Sequence, residues 1–117
     1  MLDFLNLPSP IQYLPSPVFE NKGLKVWVKR EDLIHPQVSG NKWRKLKYNL
    51  AEAAKTQKKY LLTFGGAYSN HLYATAAAGP RLGFQTIGLV RGEETEPLNP
   101  TLAYARSEGM KLIFLSR

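Results

Sequence analysis

The chain has 117 residues, 44% of them hydrophobic and 21% charged, which suits one modest soluble domain with a real core. It contains no cysteine, so disulfides, thiolate catalysis and thiolate metal sites are excluded. With His35 and His71 as the sole imidazoles, no metal centre is expected. The net charge of +7 suits anionic small molecules and nucleic acid equally. Outside Lys42 to Lys47 and the pair Lys58-Lys59 the basic residues are scattered, so charge alone does not choose between them.

The first residues, Met1 to Leu5, lack a basic lead, and no apolar run approaches membrane-spanning length, so a cytoplasmic protein is expected. Pro8, Pro10, Pro15 and Pro17 favour extended or turn backbone over helix, giving an arm over residues 1–24. Lys25 to Lys29 alternates polar and apolar side chains, the pattern of a half-buried strand. Arg30 to Asn41 then forms a loop with Pro36 and Gly40. A helix follows from Lys42 to about Lys55–Gln57, with Trp43, Leu46, Leu50, Ala53 and Ala54 on its apolar stripe.

Tyr60 to Phe64 is continuously apolar, as expected of a strand covered on both faces. Gly65 to Asn70 is a tight loop, and a helix runs from Asn70 through the alanines at 74 and 76–78. Gly79-Pro80 is expected to kink or end it early. Thr86 to Val90 is a second strand and Arg91 to Pro97 an exposed acidic loop. Asn99-Pro100 opens another helix, with a capping side chain followed by proline in the first turn, and Gly109 closes it. Lys111 to Leu115 is a third strand. Strand–helix–strand–helix–strand predicts a parallel, doubly wound α/β unit, and the sequence stops directly after its last strand.

Two stretches carry chemistry. In Ser39-Gly40-Asn41-Lys42 a small turn feeds a helix, with Lys42 at the margin of the apolar stripe. A lysine in a partly apolar setting loses its proton more readily and attacks a carbonyl. Taken blind, Lys42 is one more surface lysine of a basic chain. In Gly65-Gly66-Ala67-Tyr68-Ser69-Asn70-His71, a strand meets a helix N-terminus at the carboxyl end of a parallel sheet, where such folds bind ligands. Taken alone, this loop reads first as a tight turn with Ser69 or Asn70 as helix cap, and second as a carboxylate or phenolate site. It matches neither the Walker loop nor the dinucleotide fingerprint.

Together, Lys29-Arg30-Glu31-Asp32-Leu33, Ser39-Gly40-Asn41-Lys42 with Arg44-Lys45-Leu46, and Gly65-Gly66-x-x-Ser69-Asn70-His71 resemble the 1-aminocyclopropane-1-carboxylate deaminase and D-cysteine desulfhydrase family. Pro10-Ile11-Gln12 and Leu89-Val90-Arg91-Gly92 extend the resemblance over nearly the whole chain. It implies a pyridoxal 5'-phosphate enzyme of the tryptophan-synthase-β fold type, a parallel three-layer α/β/α architecture of which this is an incomplete N-terminal part. Residues 1–55 would then belong to the larger cofactor domain and residues 56–117 to the smaller one.

The resemblance further implies that Lys42 carries the cofactor and moves the substrate's α-proton, with Asn41 and Asn70 as cofactor contacts. Ser69, Asn70 and His71 gather around the substrate carboxylate, with Ser69 also counted as catalytic. Substrates are small amino acids. D-cysteine yields pyruvate, sulfide and ammonia, and the cyclopropane amino acid yields 2-oxobutanoate and ammonia. A homodimer of the full-length protein is implied, without nucleic-acid or membrane partners. Ser39 stands where members often have glycine, and His71, where many deaminases have glutamine, points to the D-cysteine branch. Members continue well past position 117 with the phosphate cup and the partner of the pyridine nitrogen. Two rival readings are an inactive remnant or binding module of the same fold, and a basic nucleic-acid-binding domain.

Overall fold

The computed structural model describes residues 2–116. Met1 and Arg117, which end the two expected domain ranges, lie outside the described residues. The proline-rich arm contains a short strand β1 (Ile11–Tyr13), which pairs antiparallel with β2 (Trp27–Lys29) in the register Gln12↔Val28. Between them lies one helical turn, α1 (Pro17–Glu20), started by Pro17 at a position where a missing N–H costs nothing. The arm is thus half of a small hairpin, and the expected strand at 25–29 is confined to its last three residues.

A 3₁₀ turn at Glu31–Leu33 leads through a loop into α2 (Asn41–Lys55). Trp43, Leu46 and Leu50 are buried and Ala53 partly so, whereas Ala54 falls off the stripe and is exposed. The next elements are β3 (Tyr60–Gly66), α3 (Asn70–Arg81), β4 (Gln85–Arg91), α4 (Pro100–Ser107) and β5 (Lys111–Leu115). The strands form a parallel sheet in the order β3-β4-β5, with Leu62↔Ile87 and Leu89↔Ile113 in register.

Helix α3 runs through Gly79-Pro80 to Arg81 rather than stopping before them. Pro80 falls in the last turn, where its missing N–H leaves only the Ala76 carbonyl without a helical donor, and the Arg81 guanidinium donates to the neighbouring Ala77 carbonyl at 2.5 Å. Helix α4 follows expectation: Asn99 Oδ1 accepts from the Leu102 amide at 3.0 Å, and Gly109 takes φ +89° just past the helix end.

Two apolar clusters hold the unit together. One joins Trp43, Leu46 and Leu50 of α2 to Ala74, Ala77 and Ala78 of α3, with Ile34, Val38 and Phe84. The other joins Leu72 and Ala76 of α3 to Val90 of β4 and Leu102 and Ala105 of α4. Both crossovers run in one direction along the sheet, so α3 and α4 cover the same face. The second helical layer of the expected three-layer arrangement is not among the described residues. Consequently the apolar run of β3 is covered on one face only: Tyr60, Leu62 and Phe64 alternate outward and are more than half exposed, as Ile113 and Leu115 are in part.

Candidate active site

The local structure around Lys42 is built from Glu31. Its carboxylate accepts two hydrogen bonds from Arg44, from Nε at 2.6 Å and from Nη2 at 2.9 Å, and a third from Ser9 Oγ at 2.5 Å. The Arg44 and Ser9 hydrogen bonds hold the Glu31 carboxyl down at about 2, against an ordinary value of 4.5. Its backbone carbonyl accepts from the Gly40 amide at 2.9 Å. One residue of the 3₁₀ turn thereby clasps both the first turns of α2, through Arg44, and the turn that enters them, through Gly40. Gly40 itself sits at φ +61° with open space around it, so backbone conformation rather than crowding requires glycine there.

The loop before Gly40 is pinned by Ile34 and Val38, which are fully buried. Between them His35 Nδ1 accepts from the amides of Gln37 at 3.1 Å and Val38 at 3.2 Å. Lys42, in the first turn of α2, is half-buried, and its Nζ donates to Asn41 Oδ1 at 3.0 Å.

Helix α3 packs on α2 and brings its own N-terminus to the same place. Asn70 and Tyr73, one turn apart on α3, close a cavity of about 280 Å³ with Pro36, Gln37, Ser39, Gly40, Asn41 and Lys42. That volume is at the lower end of small-molecule pockets. Tyr73 is held from behind by Tyr104 of α4, with ring centroids 4.3 Å apart.

Of the sequence-predicted residues, Lys42, Asn41 and Asn70 meet around this one cavity. Ser69 does not line it: its Oγ accepts from the Leu72 amide at 3.2 Å and caps α3. His71 points to a separate groove with Leu46, Asn49, Thr63 and Thr75. Burial lowers its pKa, with smaller contributions from the charges of Lys42 and Lys45. Sequence reasoning missed Tyr73, which the helical spacing from Asn70 makes findable, and the walls at Pro36 and Gln37, which carry no local signal. It also assigned no role to the Glu31–Arg44 pair, although both residues lie in quoted motifs.

The cavity's groups suit a planar aldehyde ligand: a primary amine for the carbonyl, the Asn41 and Asn70 carboxamides for a ring hydroxyl, and a tyrosine ring along the wall. Pyridoxal phosphate fits this donor set at its carbonyl and hydroxyl edge.

No family model matches the chain. It is 40% identical over 86 residues to a candidate 1-aminocyclopropane-1-carboxylate deaminase of Pyrococcus furiosus, a match covering 74% of this chain and 26% of the relative. It is 31% identical over 112 residues to the D-cysteine desulfhydrase of Salmonella typhimurium, covering 96% of this chain and 33% of the relative. Among solved structures, an ACC deaminase homologue superposes with a TM-score of 0.78 at 32% identity, covering 96% of this chain and 34% of that one. The chain thus spans a quarter to a third of the length of these relatives. In sequence and in fold it is similar to part of the 1-aminocyclopropane-1-carboxylate deaminases and D-cysteine desulfhydrases, which are enzymes.

Proposed function

We propose that the chain supplies the lysine-bearing portion of a pyridoxal-phosphate-dependent enzyme that removes ammonia from small amino acids. D-cysteine and 1-aminocyclopropane-1-carboxylate are the substrates to test first. One observation carries the reading: Lys42, Asn41 and Asn70, drawn from two helices, converge on a single cavity. The cofactor, when bound, supplies an electron sink for charge developing at the substrate's α-carbon.

The chain's own residues have distinct tasks. Lys42 Nζ is the nucleophile toward the cofactor carbonyl and the group that takes or returns a proton beside the α-carbon. Asn41 holds that amine in line through its 3.0 Å hydrogen bond. Asn70 offers its carboxamide to the ring hydroxyl. The substrate carboxylate is assigned to the α3 N-terminus, where free backbone N–H groups favour an anion. Ser69 fixes that terminus as its cap, and His71, the next residue but one, faces the neighbouring groove. A homodimer of the longer protein, in the cytoplasm, belongs to the same reading, as does the division at residue 55 between a larger and a smaller domain.

The test is an absorbance scan of the 117-residue chain with pyridoxal phosphate, then borohydride reduction and peptide mapping. Label concentrated on Lys42, and lost in Lys42→Ala, is the expected result. Label spread over many lysines and unchanged in Lys42→Ala overturns the reading. Specific label on Lys42 without turnover of either amino acid identifies a cofactor-binding module instead.

A further inference from the structure

The wall of the Lys42 cavity is partly a loop, and that loop is held by an imidazole. Pro36, Gln37, Ser39 and Gly40 line the cavity. Between the buried anchors Ile34 and Val38, the amides of Gln37 and Val38 both donate to His35 Nδ1. A nitrogen that accepts carries no proton, so this arrangement requires neutral imidazole with its proton on Nε2. Phe4 packs edge-on against the ring at 5.6 Å between centroids. The charged groups bearing on it are Arg81, ending α3, and Glu108, just past α4, which pair with each other at 3.0 Å.

We propose that His35 is a positioning residue for Lys42: its neutral ring holds residues 36–39 in the shape that seats the Ser39-Gly40-Asn41-Lys42 turn, and protonation of Nδ1 releases that wall. Protonation turns the acceptor into a donor facing two amide N–H groups, so both lose their partner and the loop must move. Movement reaches the lysine through the backbone, because Gly40 is tied to the Glu31 carbonyl at 2.9 Å and the Lys42 amide to the Ser39 carbonyl at 3.3 Å. Burial, and secondarily Arg81, push the imidazole pKa down, while Glu108 works the other way. Hence the loop stays closed at neutral pH and opens on acidification below the ordinary histidine range. The structural part of the inference is independent of the cofactor reading, and its consequence for Lys42 chemistry rests on it.

The test compares wild type with His35→Asn, whose side-chain oxygen replaces the accepting nitrogen without titrating, and with His35→Ala, which removes it. Amide resonances are followed by NMR from about pH 8 to about pH 5. In wild type, Gln37, Val38, Asn41 and Lys42 should shift with the midpoint of the His35 ring. In His35→Asn they should stay flat. Pyridoxal phosphate labelling of Lys42 should fall about tenfold in wild type relative to His35→Asn at the acid end, the size expected from two lost hydrogen bonds. His35→Ala should label like acidified wild type throughout.

The proposal is overturned if the ring titrates while Asn41 and Lys42 do not move, or if His35→Asn follows wild type. If no protein labels at Lys42 at any pH, the cofactor reading falls, and the NMR comparison still decides the role of His35.

Discussion

Gly65 and Gly66 are adjacent and indistinguishable by sequence, yet the structure predicts opposite outcomes for their replacement by alanine. A Cβ built on Gly65 stands 2.5 Å from Ser69 Oγ, 2.6 Å from Ser69 Cβ and 2.9 Å from Leu72 Cδ1. The same atom on Gly66 meets only Arg91 Nη2 at 3.7 Å, an ordinary contact with the end of a long side chain. For Gly65→Ala the clash includes Ser69 Cβ, which cannot rotate away, and Leu72, which is fully buried. Overpacking of this kind costs about 1–3 kcal/mol. Pushing Ser69 aside also breaks its cap on α3, for about 1 kcal/mol more. The expected loss is about 2–4 kcal/mol for Gly65→Ala and under about 1 kcal/mol for Gly66→Ala.

Urea unfolding followed by circular dichroism measures both. Because Asn70 follows the displaced Ser69, Gly65→Ala should also weaken pyridoxal phosphate labelling of Lys42 under conditions where the variant remains folded. Equal stabilities for the two variants, or a Gly65→Ala protein as stable as wild type, would refute the argument that the β3–α3 turn is packed against its own helix cap.

Glu31→Gln should destabilise the chain at neutral pH, because Arg44 loses its bidentate partner. Folding lowers the Glu31 pKa to about 2 from 4.5, so the ion pair stabilises fully above the ordinary carboxylate range and is lost as pH falls through about 2. The gap between wild type and variant should therefore close on acidification; a gap constant down to the acid limit would count against this assignment. Asn99 both caps α4 and donates through Nδ2 to the Ala67 carbonyl at 2.9 Å. Asn99→Ala should cost about 2 kcal/mol and Asn99→Ser, which keeps the cap, about 1 kcal/mol by the same unfolding assay. Identical values would mean that the cap contributes nothing, and an Asn99→Ser protein as stable as wild type would mean that the tie to the glycine loop contributes nothing.

Much of the fold is legible locally. The α4 boundaries follow from Asn99, Pro100 and Gly109, whose preferences act over one or two residues. The α2 stripe follows from spacing alone, apart from Ala54, whose position at the edge of the stripe leaves it to solvent. The motifs holding Lys42 and Asn70 are likewise continuous pieces of sequence. Pro80 misled for a related reason: a proline is costly in mid-helix, but here it falls in the last turn, where a single helical hydrogen bond is lost, and the helix reaches position 81.

Other features depend on contacts between distant segments. The Glu31 clasp joins residues 13 apart through side chains, and the Tyr73 wall faces Lys42 only because α3 lies against α2. His35 is one of two histidines in the composition, and only the folded loop turns its Nδ1 toward two amides. The sequence by itself determined the parallel α/β order and the cap of α4, since these are set by backbone preference and short-range periodicity. Tertiary structure alone decided that Lys42 and Asn70 share one cavity while Ser69 and His71 turn elsewhere. It also decided that one face of β3 is covered and the other open, because an apolar run shows that burial is favourable but not what lies opposite each face.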